Sequence, residues 1–349
     1  MSTEDGGLAG LDRTLRNTFS WYTVSKKEFR DAIRSKGLWL LGTVFTLLFS
    51  LPVIISLYFQ DWESLNNAQT QAIRENGMQA LLSSTYTEVV TVLVPIIAIF
   101  VGYAAISKER SSGSLKILLS LPHSRRDVLI GKVIGRSAVL TVPFLASLAI
   151  TAVILVASRL TFKPELFGLF VLFSVLYAMV FVAITVSISG VFDRTSWAGA
   201  ASFIVYFYST FVWNLSVNSI GQLLQNRLGV EGAIRWHLVL LLKLANPNQA
   251  YKTLTNSMLN TGDTPQLAAR LSMFGRGANR QVVCTDVLNG AWETQTVQFL
   301  GQAQQISTCS GGGTPVPFYY SDPVVAVFMV AWIGIAATLS YYTFAIADL

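Results

Sequence analysis

Gly131 and Lys132 are the first residues here whose types and spacing suggest chemistry, because a glycine followed by lysine closes the phosphate-cradling loop GxxxxGK[ST]. Val133 stands where Ser or Thr is needed and the loop's first glycine is missing, so the chain is not expected to hydrolyse ATP by itself. His123 and His237 lie in separate segments and cannot form the HExxH pair of a zinc hydrolase; both read as structural. Ser, His and Asp are nowhere grouped as nucleophilic catalysis requires. Cys284 and Cys309 share one long polar stretch. A disulfide between them would close a loop of about 25 residues, worth roughly 3 kcal/mol by chain entropy. The alternative is two unpaired small residues. Without a CxxC or a nearby His pair, neither cysteine points to a metal.

The elements that must position these residues are apolar runs. Of 349 residues, 52% are hydrophobic and 13% charged, about half the usual charged share of roughly 25%. Six runs are long enough to cross a hydrocarbon layer of roughly 30 Å at about 1.5 Å per residue. They fall at about 38–59, 88–107, 133–157, 166–190, 197–217 and 324–346. The expected fold is an all-α integral membrane protein of six transmembrane helices. Pro52, Pro95 and Pro143 fall inside the first three spans, where neighbouring groups can satisfy the freed carbonyls. The span interiors hold essentially no ionisable residue, which removes the usual carriers of proton-coupled transport.

The charge excess of +6 sorts by position. Residues 1–37 hold seven Lys or Arg, and residues 108–136 hold seven more, whereas residues 60–87 hold only Arg74 against Asp61, Glu63 and Glu75. Such alternation is the positive-inside pattern and argues against nucleic acid as the partner. It places both termini and the 108–132 loop in the cytoplasm, and a large region between spans five and six, 218–323, outside. Residues 21–37 mix Trp21, Tyr22, Val24, Phe29 and Ile33 with basic residues and read as an interfacial helix, Phe29 and Ile33 sharing a face that Tyr22 and Lys26 continue. Within 218–323, residues 233–245 are apolar over too short a distance to span and suit a re-entrant or interfacial helix; the remainder reads as an irregular cap. The division is thus a tail and interfacial helix at 1–37, spans one to five at 38–217, the cap at 218–323, and the last span at 324–349.

The informative loop is 107–136, SKERSSGSLKILLSLPHSRRDVLIGKVIGR. Leu115, Leu118 and Leu119 share one face of a short amphipathic helix expected over 112–121, which Pro122 ends. Ser124 then caps the next helix with Asp127 three positions on. The run of Glu109, Arg110, Gly113, Ser114, Leu115, Leu118, Leu119, Ser120, Pro122, Ser124, Arg125, Gly131 and Lys132 resembles the pattern of type-2 ABC transporter permeases, in particular six-span bacterial and archaeal members that pair with a separate ATPase chain. The basic helix before span one resembles that family's elbow helix, and LANPNQAY at 244–251 its outer segment before the last span.

The resemblance implies that residues 109–122 form a coupling helix docking into a groove on the ATPase. Glu109 and Arg110 would fix its start by ion pairing, the three leucines would supply its packing face, and Arg125 and Arg126 would meet acidic or phosphate groups. It further implies a second permease chain, a homodimer being expected, with ATP and Mg bound by the ATPase and no cofactor in this chain. Family members move drugs, lipids, peptides, polysaccharides and factors for copper-enzyme maturation. About 100 residues separate spans five and six, longer than that group's pattern, so no substrate is carried over. The competing reading is a membrane scaffold or receptor whose cap binds a partner.

Overall fold

The computed structural model describes residues 14, 18–58, 67–113, 124–158, 160–259, 266–267, 270–271, 273–274, 279–299, 302–311 and 316–346. Its helices are α1 (Ser20–Ile33), α2 (Lys36–Tyr58), α3 (Asn67–Ala80), α4 (Thr87–Gly102), α5 (Ser107–Ser111), α6 (Arg125–Ala157), α7 (Pro164–Val191), α8 (Thr195–Phe207), α9 (Trp213–Leu228), α10 (Gly232–Leu244), α11 (Pro247–Leu259) and α12 (Asp322–Ile346). Among the described residues six segments are long and apolar enough to cross a membrane: Lys36–Ile55, Ile73–Ser111, Arg126–Ala157, Pro164–Val191, Thr195–Leu228 and Asp322–Tyr342. The chain is a multi-pass membrane protein.

The second and fifth spans run further than hydropathy alone predicts. A π turn, Leu81–Tyr86, joins α3 to α4, and another, Tyr208–Val212, joins α8 to α9, so each span continues as one helical rod into polar sequence. The α7 helix stands at the centre, packed against α4, α6, α8, α11 and α12. Its apolar residues circle the whole helix, and Phe170, Tyr177, Ala178, Val182 and Val186 are all sealed.

Beyond the spans the polar region is more regular than expected. The short apolar stretch forms α10 and the NPNQAY segment begins α11, while Gly290–Phe299 (β1) and Gln302–Gly311 (β2) pair as an antiparallel two-stranded sheet, Gly290 opposite Gly311 and Phe299 opposite Gln302. A hairpin this small is marginal by itself. Here Cys284, in a π turn at Val283–Val287, is disulfide-bonded to Cys309 on β2, tying the hairpin's base to the helical region.

At the opposite end of the bundle, α1 lies along α6. Its buried face is Val24, Ser25 and Glu28, not the Phe29 and Ile33 face singled out by apolarity; Ile33 is exposed.

Candidate coupling site

The approach of α1 to α6 depends on two glycines one turn apart. A Cβ at Gly131 would stand 2.7 Å from the Trp21 carbonyl oxygen and 2.7 Å from Val24 Cβ. A Cβ at Gly135 would stand 2.8 Å from Glu28 Cβ. Small residues four apart let two backbones meet at this distance. The consequence is electrostatic: Glu28 and Lys132 are brought together inside the contact.

Lys132 Nζ donates to Glu28 Oε1 and to Glu109 Oε1, each at 2.8 Å, and Arg136 reaches Glu28 Oε2 at 2.7 Å. Lys132 is 1% exposed and Glu28 8%. Charges this deep are stable only when their hydrogen-bonding capacity is used, and the two bases on Glu28 answer that need. Burial alone would raise the Glu28 carboxyl, but the neighbouring Lys132 and Arg136 cations outweigh it and hold it below the usual carboxylate value of 4.5.

The Glu109 partner comes from α5, which the structure places by a separate device. Ser189 of α7 accepts from the Ile106 and Ser107 amides at 2.9 and 3.0 Å, satisfying donors at the start of α5. Arg110 pairs with Asp193, just after α7, at 2.9 Å. Gly113 follows in a turn with φ of +72°, a left-handed backbone that favours glycine. A short helix, Ser107–Ser111, thus stands before the amphipathic helix expected over 112–121, which beyond Ser112 and Gly113 lies outside the described residues. Leu115, Leu118, Leu119 and Pro122 lie outside the described residues, as does the Arg125 side chain. The chain resumes at Ser124, which caps α6 in a reciprocal capping box with Asp127: the Asp127 amide donates to Ser124 Oγ at 3.1 Å, and the Ser124 amide donates to Asp127 Oδ2 at 3.1 Å. Arg126 lies over the Tyr341 ring of α12, 4.7 Å from its centre.

Both ends of the loop from 107 to 124 are thus anchored on named partners. Glu109 joins α5 to α1 and α6 through Lys132, Arg110 joins it to the turn after α7, and Arg126 joins the start of α6 to α12. Glu28, Arg136 and Asp193 escaped the sequence reading. The signal for Glu28 was present as an acid beside Lys27, one of two with Asp31 in an otherwise basic helix.

A second polar cluster lies at the far end. Pro95 has no amide to donate to Thr91 O, four residues earlier in α4, and the Tyr177 hydroxyl stands 3.2 Å from that oxygen. The same hydroxyl is 2.5 Å from Asn248 Oδ1, so it can donate to one acceptor at a time. Asn246 Nδ2 donates to Ser209 O at 2.6 Å, within the π turn that loosens span five, and Asn248 Nδ2 donates to Thr210 Oγ1 at 2.9 Å. Tyr251 stacks on Tyr177 at 4.6 Å and shares a 2.7 Å hydrogen bond with Ser174. The NPN segment therefore clasps irregularities in spans two and five. At the span-two end Lys252 Nζ meets both Glu88 oxygens, at 2.6 and 2.7 Å.

Comparison with known proteins agrees with this architecture. The sequence model of the ABC-2 family transporter proteins matches residues 22–349. Two relatives, each named probable ABC transporter permease protein NosY, come from Pseudomonas aeruginosa and Stutzerimonas stutzeri. Each is 27% identical, over 244 and 241 residues respectively, covering 68% of this chain and 81% of the relative. The chain belongs to the ABC-2 family of transporter proteins, as a multi-pass permease subunit of an ABC transporter.

Proposed function

We propose that this permease works with a separate ABC ATPase chain, which binds ATP and Mg, and exports its substrate by alternating access between two permease chains. The α1 end of the bundle faces the cytoplasm in this reading, and residues 109–122 receive the ATPase. The observation that supports it most directly is the doubly shared Lys132. A displacement of the loop at α5 passes through Glu109 and Lys132 to α1 and α6, and through Arg110 and Asp193 to the end of α7, because buried ion pairs and packed helices move as units rather than stretch. At the far end, the Asn246–Asn248 clasp and the Glu88–Lys252 pair hold spans two and five against α11, as an outward-closed state needs.

Affinity purification of the tagged chain from native membranes tests the reading. A nucleotide-binding chain is expected to co-purify and to be lost in Leu118→Asp while the permease stays folded. Absence of any such chain from the wild-type preparation overturns it. Transport in sealed vesicles that requires ATP on the α1 side, and that a proton or sodium gradient cannot replace, tests the energy source.

A further inference from the structure

A groove of about 920 Å³ opens between α1, the start of α2, and the stretch from α4 into α5. Its two ends differ in chemistry. Toward the middle of the spans it is walled by apolar residues such as Leu41, Val44, Leu93 and Phe100; at the α1 end it is rimmed by Lys27, Asp31 and Lys108. Along α4 and α5 it runs from Leu93 to Lys108, fifteen residues or about 22 Å at the helical rise. That equals about half of a bilayer roughly 40–45 Å thick including headgroups, which is one leaflet.

The charges at the rim have a sign. Lys27, Lys108 and Arg136 line the groove together with Glu28, Asp31 and Glu109, and the buried Lys132 behind the wall brings the cluster to four cations against three carboxylates. Glu28 is already engaged by Lys132 and Arg136, and Glu109 by Lys132. With exposed Asp31 set against one of them, Lys27 and Lys108 carry the surplus of one positive charge, and both are exposed at the depth where a phosphate would sit above an acyl chain in the groove.

We propose that this groove is a binding site for one anionic phospholipid of the leaflet at the α1 end, its phosphate between Lys27 and Lys108 and one acyl chain along Leu41, Leu93 and Phe100. The site is independent of what the transporter moves. A lipid seated there touches α1 and α5 together, the two elements that Glu28 and Glu109 tie to Lys132. Membrane composition would thus act on the coupling site directly.

Native mass spectrometry of the full chain, released from micelles doped with phosphatidylglycerol or chain-matched phosphatidylcholine, tests the site. One phosphatidylglycerol is expected to remain bound, retained about tenfold better than phosphatidylcholine. The exposed-residue variant K27E/K108E should lose that preference, and Ala104→Trp, which fills the groove wall, should lose the lipid altogether. Equal retention of both lipids, unchanged in K27E/K108E, means unselective surface lipid and overturns the proposal. It also fails if inorganic phosphate alone reproduces the thermal shift given by phosphatidylglycerol, or if the lipid-free mass is a dimer cross-linkable between groove cysteines placed at Leu40 and Phe100.

Discussion

Lys132 Nζ lies 2.8 Å from Glu28 Oε1, although 104 residues separate them in sequence, and Glu109 takes a second hydrogen bond from the same amine. Removing the amine leaves Glu28 buried with Arg136 as its remaining cation in this cluster. Lys132→Met is expected to destabilise the protein by about 1–3 kcal/mol, because Glu28 keeps Arg136 on one oxygen but loses the cation on the other, inside a buried contact. Glu28→Gln in the same chain should recover much of the loss. Thermal unfolding of the two single variants and the double variant in detergent forms the cycle; additive losses would mean the pair is not coupled.

The same carboxyl sets an acid limit. Its value is depressed in the folded protein, so its contribution is fully present above the ordinary carboxylate value of 4.5 and is lost as pH falls through the lower folded value. Stability measured from pH 7 downward should hold its Glu28-dependent part to about pH 5 and lose it only below 4.5. Glu28→Gln should flatten that part of the acid limb. A variant whose acid limb matches wild type would refute the assignment.

Gly131 and Gly135 should tolerate no side chain. Adding a methyl at Gly131 meets a backbone oxygen at 2.7 Å, which cannot rotate away, so Gly131→Ala should cost about 1–3 kcal/mol as helix overpacking. Gly168, on α7, has nothing within 4 Å of its added Cβ, and Gly168→Ala should be neutral or stabilising by up to about 1 kcal/mol. Melting temperatures of the two variants side by side check the contrast.

These residues show how far the sequence could be read. The six spans followed from apolar length alone, since only helices satisfy every backbone group in lipid and their number is written in the hydropathy. The capping box at Ser124 and Asp127 was equally legible, being a local pattern. Lys132 was picked out as part of a motif, but its partners Glu28 and Glu109 lie on other elements, and a partner across 104 residues leaves no local spacing to read. The hairpin was missed for a related reason. Its strands are rich in Gln, Thr and Ser with little apolar alternation, and the disulfide that ties their base joins residues 25 apart in sequence.

The Tyr177 hydroxyl reaches both the carbonyl released by Pro95 and the side chain of Asn248. Tyr177→Phe keeps the stacking on Tyr251 and deletes only the donor. The loss should be modest, about 0.6–2 kcal/mol, because a polar group left in a membrane protein finds other partners more readily than one in a dry soluble core. Asn248→Leu removes the acceptor, the donor to Thr210 and the fit to the π turn together, and should cost more. Reversal of that order in thermal melts would place the weight on the Pro95 carbonyl rather than on the clasp.

The Cys284–Cys309 bond ties the hairpin to the helical region, and Gly290 is shaped around it: a Cβ there would lie 2.7 Å from Cys309 Sγ. The bond closes a loop with a sequence separation of 25, for which chain entropy gives roughly 3 kcal/mol. Since α10 packs on the turn that holds Cys284, the loss should remain local to this region and leave the spans folded. Reductant should therefore increase proteolysis within residues 279–311 of the wild-type protein while the main melting transition moves little. The double variant Cys284→Ser with Cys309→Ser should show the increased proteolysis from the outset and no further response to reductant. If reductant instead lowers the main transition by the full amount, the hairpin and the spans unfold as one unit and the disulfide stabilises the whole bundle.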